Sequence, residues 1–231
     1  MTALQAIICD FDGVIADSEP LHFESFRLAL DEEGIALSCE EYYEHYLGYD
    51  DHGLILALAR DRGMHVSPTW ASDLVTQKGR KLQALLDASV VLFPGAADFI
   101  RRAADAVPVA IASGAQRAEI EQVLNATNLG GLVTTIVGAG DTAECKPAPA
   151  PYRLAFEQLR AKSGRDLTAD RTVAIEDSHW GLESARGAGL RCVGVTNSYP
   201  AGELPGAELV TAGLGQLSLD ALDRLCASPA Q

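Results

Sequence analysis

Two aspartates one residue apart close the first apolar run of the chain, Ala6-Ile7-Ile8-Cys9-Asp10-Phe11-Asp12-Gly13-Val14. The run carries β-branched residues and reads as a buried strand. In an open α/β sheet, ligands bind outside the carboxyl ends of the strands. On an extended segment residues i and i+2 point the same way, so Asp10 and Asp12 are able to face one ligand. Three more polar clusters follow apolar runs further along. Ser113-Gly114 ends the run 107–112, and Glu176-Asp177 ends the run 172–175. Lys146-Pro147 follows the run 134–137 after a loop. Taken singly, Ser113-Gly114 and Glu176-Asp177 also read as helix caps, and Lys146 as a solvated turn lysine. In a parallel sheet all four clusters meet on one edge, which favours a site.

Carboxylates brought that close repel one another unless a cation joins them. Oxygen donors of this kind suit Mg²⁺, which also coordinates phosphate. A lysine, and a serine at a helix start, suit phosphate oxygens. Phosphoryl transfer asks mainly for positioning and charge neutralisation. An aspartate is also able to act as the covalent nucleophile.

Two kinds of segment position these residues. From 17 to about 91 the spacing is helical: Phe23, Phe26 and Leu30 recur on one face, and Gly34 stops the run. Further helices are expected from Cys39 to Tyr46, from Asp51 to Arg62, and after Ser67-Pro68 as cap and first helical residue. Beyond Pro94-Gly95 helical and strand patterns alternate. Strands are expected at 107–112, 134–137, 172–175 and 191–195, with helices between them. Such alternation implies a parallel, doubly wound sheet. The chain closes in a small-residue C-terminal tail.

Composition narrows the function classes. Among 231 residues, 48% are hydrophobic and the net charge is −14. No basic run is present, so a nucleic-acid partner is not expected. An anionic substrate would need a local trap rather than the overall field. Five cysteines with no CxxC argue for a reducing compartment and against a zinc cage. Cys9 and Cys192 lie in apolar runs and are expected in the core. No apolar run is long enough to span a membrane. The first strand begins within a few residues of Met1, so no signal peptide is expected. A cytoplasmic monomer is the expectation.

The set Asp10-Phe11-Asp12-Gly13-Val14, Ser113-Gly114, Lys146-Pro147-Ala148-Pro149 and Glu176-Asp177-Ser178 resembles, in order, the four motifs of the haloacid dehalogenase superfamily. More narrowly it resembles the β-phosphoglucomutase-like and phosphoglycolate-phosphatase-like branch. The resemblance implies an α/β, Rossmann-like core at 1–15 and 92–231 and an inserted helical cap at 16–91. It implies that Asp10 is the nucleophile and a metal ligand, and that Asp12 is the general acid/base and a metal ligand through its carbonyl. Ser113 and Lys146 would hold the transferring phosphoryl group, with Gly114 beside them. Asp177 would ligate Mg²⁺, with Glu176 in or next to its coordination. Glu19, His22, Tyr49 and Lys78 match cap positions that face the substrate in this branch. The implied activity is Mg²⁺-dependent hydrolysis of a small phosphomonoester, a sugar phosphate or phosphoglycolate, through an aspartyl-phosphate. The alternatives are a sugar phosphomutase and a catalytically inactive phosphometabolite-binding regulator. No arginine appears between Gly48 and Arg60. In the mutase pattern an arginine there grips a second phosphate, because its planar fork binds phosphate at two points.

Overall fold

A computed structural model describes residues 2–47, 49–88 and 92–229. In chain order its strands and α-helices are β1 (Ala6–Cys9), α1 (Glu19–Glu32), α2 (Cys39–His45), α3 (Asp51–Asp61), α4 (Pro68–Ala88), α5 (Ala96–Ala106), β2 (Val109–Ala112), α6 (Arg117–Ala126), β3 (Thr135–Val137), α7 (Ala150–Ser163), β4 (Thr172–Glu176), α8 (His179–Gly187), β5 (Arg191–Val195), β6 (Leu209–Thr211) and α9 (Leu219–Ala227). The chain divides into two compact units, Met1–Asp17 with Val90–Gln231, and Ser18–Ser89.

The first unit is built on a six-stranded sheet in the order β3-β2-β1-β4-β5-β6. Every pairing is parallel. Strand β1 is central, with Ile8 opposite Ala110 of β2 and Ala174 of β4. Both faces of such a strand must be covered, which explains its unbroken apolar run. Ala6 and Ile8 face the cluster formed by Tyr152, Ala155 and Leu159 of α7 with Leu182 and Ala185 of α8. The alternate residues Ile7 and Cys9 are fully buried as well, and α5 and α9 contact β2 and β4. With all strands parallel, the segments after β1, β2, β3 and β4 leave the sheet on one edge.

The second unit is a helical bundle. Phe26, Leu30, Tyr42, Tyr46, Leu54, Leu58 and Leu74 form its core. Polar side chains cap its helices: Ser38 accepts from the Glu41 N–H, Asp50 from the Gly53 N–H, and Ser67 from the Trp70 N–H. Gly48, from which the stretch without an arginine is counted, lies outside the described residues.

The C-terminal segment, in which the sequence pattern marks no element after the strand at 191–195, carries a strand and an α-helix. β6 adds an edge strand, and α9 is capped by Ser218, which accepts from the Ala221 N–H. Leu222 and Cys226 are buried. β6 is three residues long and only half-buried, so it leaves no apolar run. Among the described residues no helix is long and apolar enough to cross a membrane.

Candidate active site

β1 and β4 lie side by side, and each ends in carboxylates. The Asp10 N–H donates to the Ile175 carbonyl at 2.9 Å. That bond extends the β1–β4 ladder by one residue and sets Asp10 beside Glu176 and Asp177. These three each offer a carboxylate oxygen within 4.8 Å of the others, and all three are buried. Lys146 comes in from the loop between β3 and α7. Its Nζ lies 3.0 Å from Asp10 Oδ2 and 2.6 Å from Glu176 Oε1.

Three buried carboxylates share one ammonium, so negative charge is in excess. Burial, and then Glu176, push the Asp10 carboxyl up to about 6 against the pull of Lys146. Burial and Asp10 push Asp177 up to about 7, opposed by the Ser198 hydroxyl. Burial also works against the charge on Lys146, but Asp10 and Glu176 outweigh it and hold the ammonium above its ordinary value. Buried like charges of this kind lose stability unless a cation is added.

The donor set fits a hard divalent cation, and the oxygens are not equally free. Glu176 Oε1 accepts from Lys146 Nζ and, at 3.0 Å, from the Tyr152 hydroxyl. Glu176 Oε2 accepts from the Asp177 N–H, the Ser178 N–H and the Ser178 hydroxyl at 3.1–3.3 Å. A carboxylate offers about four lone-pair sites, so Glu176 is saturated. Asp10 Oδ1 accepts from the Phe11 N–H, at 2.7 Å, and Asp177 Oδ2 from the Ser198 hydroxyl. Asp10 and Asp177 therefore have the lone pairs to hold Mg²⁺, and Glu176 is placed to orient the residues around them.

Two glycines make room for this arrangement. A Cβ on Gly13, whose φ is +73°, would lie 1.8 Å from Asp177 Oδ2. A Cβ on Gly181, at the start of α8, would lie 1.8–2.1 Å from the Glu176 carboxylate atoms. The Asn197 amide donates to the Gly13 carbonyl at 2.7 Å, tying the loop after β5 to the loop after β1.

The remaining residues singled out in the core lie on the same sheet edge. Asp12 is half-buried in the turn after β1, its backbone bridged to Ala16. Ser113, buried, follows β2; its N–H donates to the Val137 carbonyl at 2.9 Å and its hydroxyl accepts from the Ala115 N–H at 3.2 Å. Gly114 is exposed.

In the helical unit, His22 and Lys78 come together. Lys78 Nζ lies 3.0 Å from His22 Nδ1 and 2.8 and 2.9 Å from the two Asp51 oxygens. It lies 4.7 Å from the centre of the Phe26 ring, and the residue is only 1% exposed. Burial and then Lys78 press the His22 imidazole down to about 3. Glu19 accepts from the Tyr42 hydroxyl instead. Tyr49 is 48% exposed, with its ring centre 6.4 Å from that of Tyr46.

Sequence reasoning did not single out Tyr152, Asn197 or Ser198. Tyr152 looks like any core aromatic six residues after Lys146, and no spacing rule ties residue 198 to residue 177. Gly181 was legible only as one of a row of small residues on the helix that follows Asp177.

The model of the family described as "Haloacid dehalogenase-like hydrolase" matches residues 7–195. Protein CbbY of Cereibacter sphaeroides is 32% identical over 197 residues, covering 82% of this chain and 83% of that protein. The phosphorylated carbohydrates phosphatase of Thermotoga maritima is 26% identical, over 87% of this chain and 89% of that protein. Among solved structures, CbbY from Rhodobacter sphaeroides in complex with xylulose-(1,5)bisphosphate superposes with a TM-score of 0.82 at 29% identity. The match covers 95% of this chain and 99% of that one.

Proposed function

The chain belongs to the haloacid dehalogenase-like hydrolase family, and from that premise we propose that it hydrolyses a small phosphorylated sugar with Mg²⁺, through an aspartyl-phosphate on Asp10. One observation carries the reading: Asp10, Glu176 and Asp177 lie within 4.8 Å of one another around a single lysine at the carboxyl edge of the sheet. Neutral-pH repulsion among these groups calls for a divalent cation, and the cation and Lys146 together suit a phosphate dianion.

In this reading an Asp10 carboxylate oxygen attacks phosphorus. The bond from phosphorus to the ester oxygen breaks, and Asp12 gives its proton to the departing alkoxide. A water then attacks the aspartyl-phosphate and loses its proton to Asp12, which frees phosphate and regenerates Asp10. Lys146 and Ser113 hold the phosphoryl oxygens throughout. Bound Mg²⁺, held by Asp10, Asp177 and the Asp12 carbonyl, would neutralise the phosphoryl charge. The helical unit would act as the cap, with Glu19 and Tyr49 among the residues from which substrate choice is built; His22 and Lys78, paired with each other and with Asp51, would hold the packing of the cap itself.

For the substrate, we place a pentulose bisphosphate first, on the similarity to CbbY, ahead of hexose phosphates and phosphoglycolate. A mutase is disfavoured by the missing arginine between Gly48 and Arg60. Of the two acidic residues there, Asp51 is neutralised by Lys78, and Asp50 is spent on capping α3. The test is phosphate release by metal-stripped protein, with and without added Mg²⁺. The panel is p-nitrophenyl phosphate, xylulose 1,5-bisphosphate, phosphoglycolate, and β-glucose 1-phosphate with a trace of the 1,6-bisphosphate. Mg²⁺-dependent phosphate release supports the reading. Glucose 6-phosphate forming faster than free phosphate would make it a mutase, and no turnover of any substrate would leave a binding protein.

A further inference from the structure

We infer that Tyr152 is a positioning residue for Lys146, acting through Glu176: its hydroxyl and its ring together fix where the ammonium points. The inference rests on the phosphoryl-transfer reading above and adds to it a residue that never touches substrate.

Lys146 is shared between two carboxylates, at 2.6 Å from Glu176 Oε1 and 3.0 Å from Asp10 Oδ2. For the proposed chemistry it must serve Asp10 and the phosphoryl group joined to it. A bare Glu176 oxygen would draw the ammonium away. The Tyr152 hydroxyl donates to that same oxygen at 3.0 Å, so Oε1 already carries a neutral donor and competes less strongly for Lys146. The Tyr152 ring lies 5.0 Å from Nζ, within cation–π range, and fills the space into which the lysine would otherwise retreat. Tyr152 is 0% exposed and packs in the α7 face of the core. Phenylalanine would fill that space equally well, so packing alone gives no reason for the hydroxyl.

The decisive variant is Tyr152→Phe, which removes the hydroxyl and keeps the ring. Three quantities are measured: kcat/KM on p-nitrophenyl phosphate at saturating Mg²⁺, the half-saturating Mg²⁺ concentration, and inorganic phosphate affinity by calorimetry with Mg²⁺ present. A small misplacement of a catalytic group costs up to about 100-fold. The expectation is a loss of about 10- to 100-fold in kcat/KM, a parallel loss of phosphate affinity, and a Mg²⁺ requirement within about twofold of wild type. Because the two residues act as one unit, adding Tyr152→Phe to Glu176→Gln should cost little beyond Glu176→Gln alone. An unchanged kcat/KM, a Mg²⁺ requirement that rises as far as activity falls, or fully additive losses would overturn the inference. Should Tyr152→Phe not fold, site-specific replacement of Tyr152 by 3-fluorotyrosine, which keeps the ring and makes the hydroxyl a stronger donor, is decisive: a changed phosphate affinity at unchanged Mg²⁺ affinity supports the inference, and an unchanged phosphate affinity overturns it. The phosphate calorimetry needs no turnover. A wild-type protein that hydrolyses nothing would sink the proposed activity, and calorimetry would still test the role of Tyr152.

Discussion

In the helical unit, Lys78 meets Asp51 at 2.8 Å, His22 at 3.0 Å and the Phe26 ring at 4.7 Å. In the α/β unit, Lys146 meets Glu176 at 2.6 Å, Asp10 at 3.0 Å and the Tyr152 ring at 5.0 Å. The parts are the same: an ammonium, acidic partners and an aromatic face. The charge count differs. Among the described residues Lys78 pairs with one carboxylate, Asp51, and with an imidazole held neutral, His22. Lys146 stands among three carboxylates, two of them pushed up to about 6 and about 7. A matched pair is complete as it stands. An excess of buried negative charge is unbalanced unless a cation joins it, and that is the physical difference between a structural cluster and a candidate active site.

The largest expected contrast comes from removing one carboxylate charge on each side. Asp10→Asn should cut turnover by roughly 10³-fold or more, because an amide is a poor nucleophile. In metal-free protein it should leave the melting temperature unchanged or raise it, since it relieves repulsion. Asp51→Asn should do the reverse to stability. It strands the charge of a lysine that is 1% exposed, and breaking a buried pair costs roughly 3–5 kcal/mol. The Asp51 side chain is 38% exposed, so the low end of that range is expected. Kinetics and thermal melts of both variants without metal decide it. A destabilised Asp10→Asn beside an undisturbed Asp51→Asn would reverse the assignment of the two clusters.

A smaller contrast lies in two helical glycines. Gly79 follows Lys78 in α4, and a Cβ there meets nothing within 4 Å. Gly79→Ala should therefore stabilise by about 0.5–1 kcal/mol through helix propensity alone. The same change at Gly181 drives a methyl group into the Glu176 carboxylate, which five hydrogen bonds hold in place. Glu176 must shift, and Lys146 with it, so activity should fall by about tenfold or more. Equal effects of the two substitutions on activity would mean that Glu176 moves without consequence.

The two regions were not equally legible in the sequence. Asp10, Ser113 and Asp177 follow apolar runs, and in a parallel sheet such ends share an edge, so local pattern and one topological rule were enough to place them. Lys146 follows its apolar run only after a loop, so its place on that edge needed the loop to fold back, which the pattern of runs does not specify. In the helical unit the resemblance gives His22 and Lys78 as separate cap positions. Their meeting with Asp51 depends on how α1, α3 and α4 pack, which helical periodicity does not encode. Tyr152 and Ser198 were hidden for a related reason: each acts by one hydroxyl whose partner lies more than 20 residues away. The edge strand β6 escaped because a three-residue, half-buried strand carries almost no pattern.

The finest contrast is in pH. Asp10 and Asp177 hold protons in the folded metal-free protein at pH values where the unfolded chain, with ordinary aspartates near 3.8, has released them. Their contribution to stability is therefore lost as pH rises from about 4 to about 7. His22 has the opposite sign. Its folded value is about 3 against an ordinary 6.5, so the unfolded chain binds a proton that the folded one refuses, and stability is lost as pH falls through that window. In the overlap the slopes oppose each other, and a plain melting curve would hide both. Two manipulations separate them. His22→Gln removes the acid-side loss in the helical unit. Mg²⁺, bound as proposed at the ionised carboxylates, should remove the alkaline-side loss in the α/β unit, because it must displace their protons. In metal-stripped His22→Gln protein the melting temperature should then fall steadily from about pH 4.5 to about pH 7.5, and saturating Mg²⁺ should raise it most at the upper end. A stabilisation by Mg²⁺ that is the same at both ends would mean that the cation does not bind at the carboxylates whose protons it must displace.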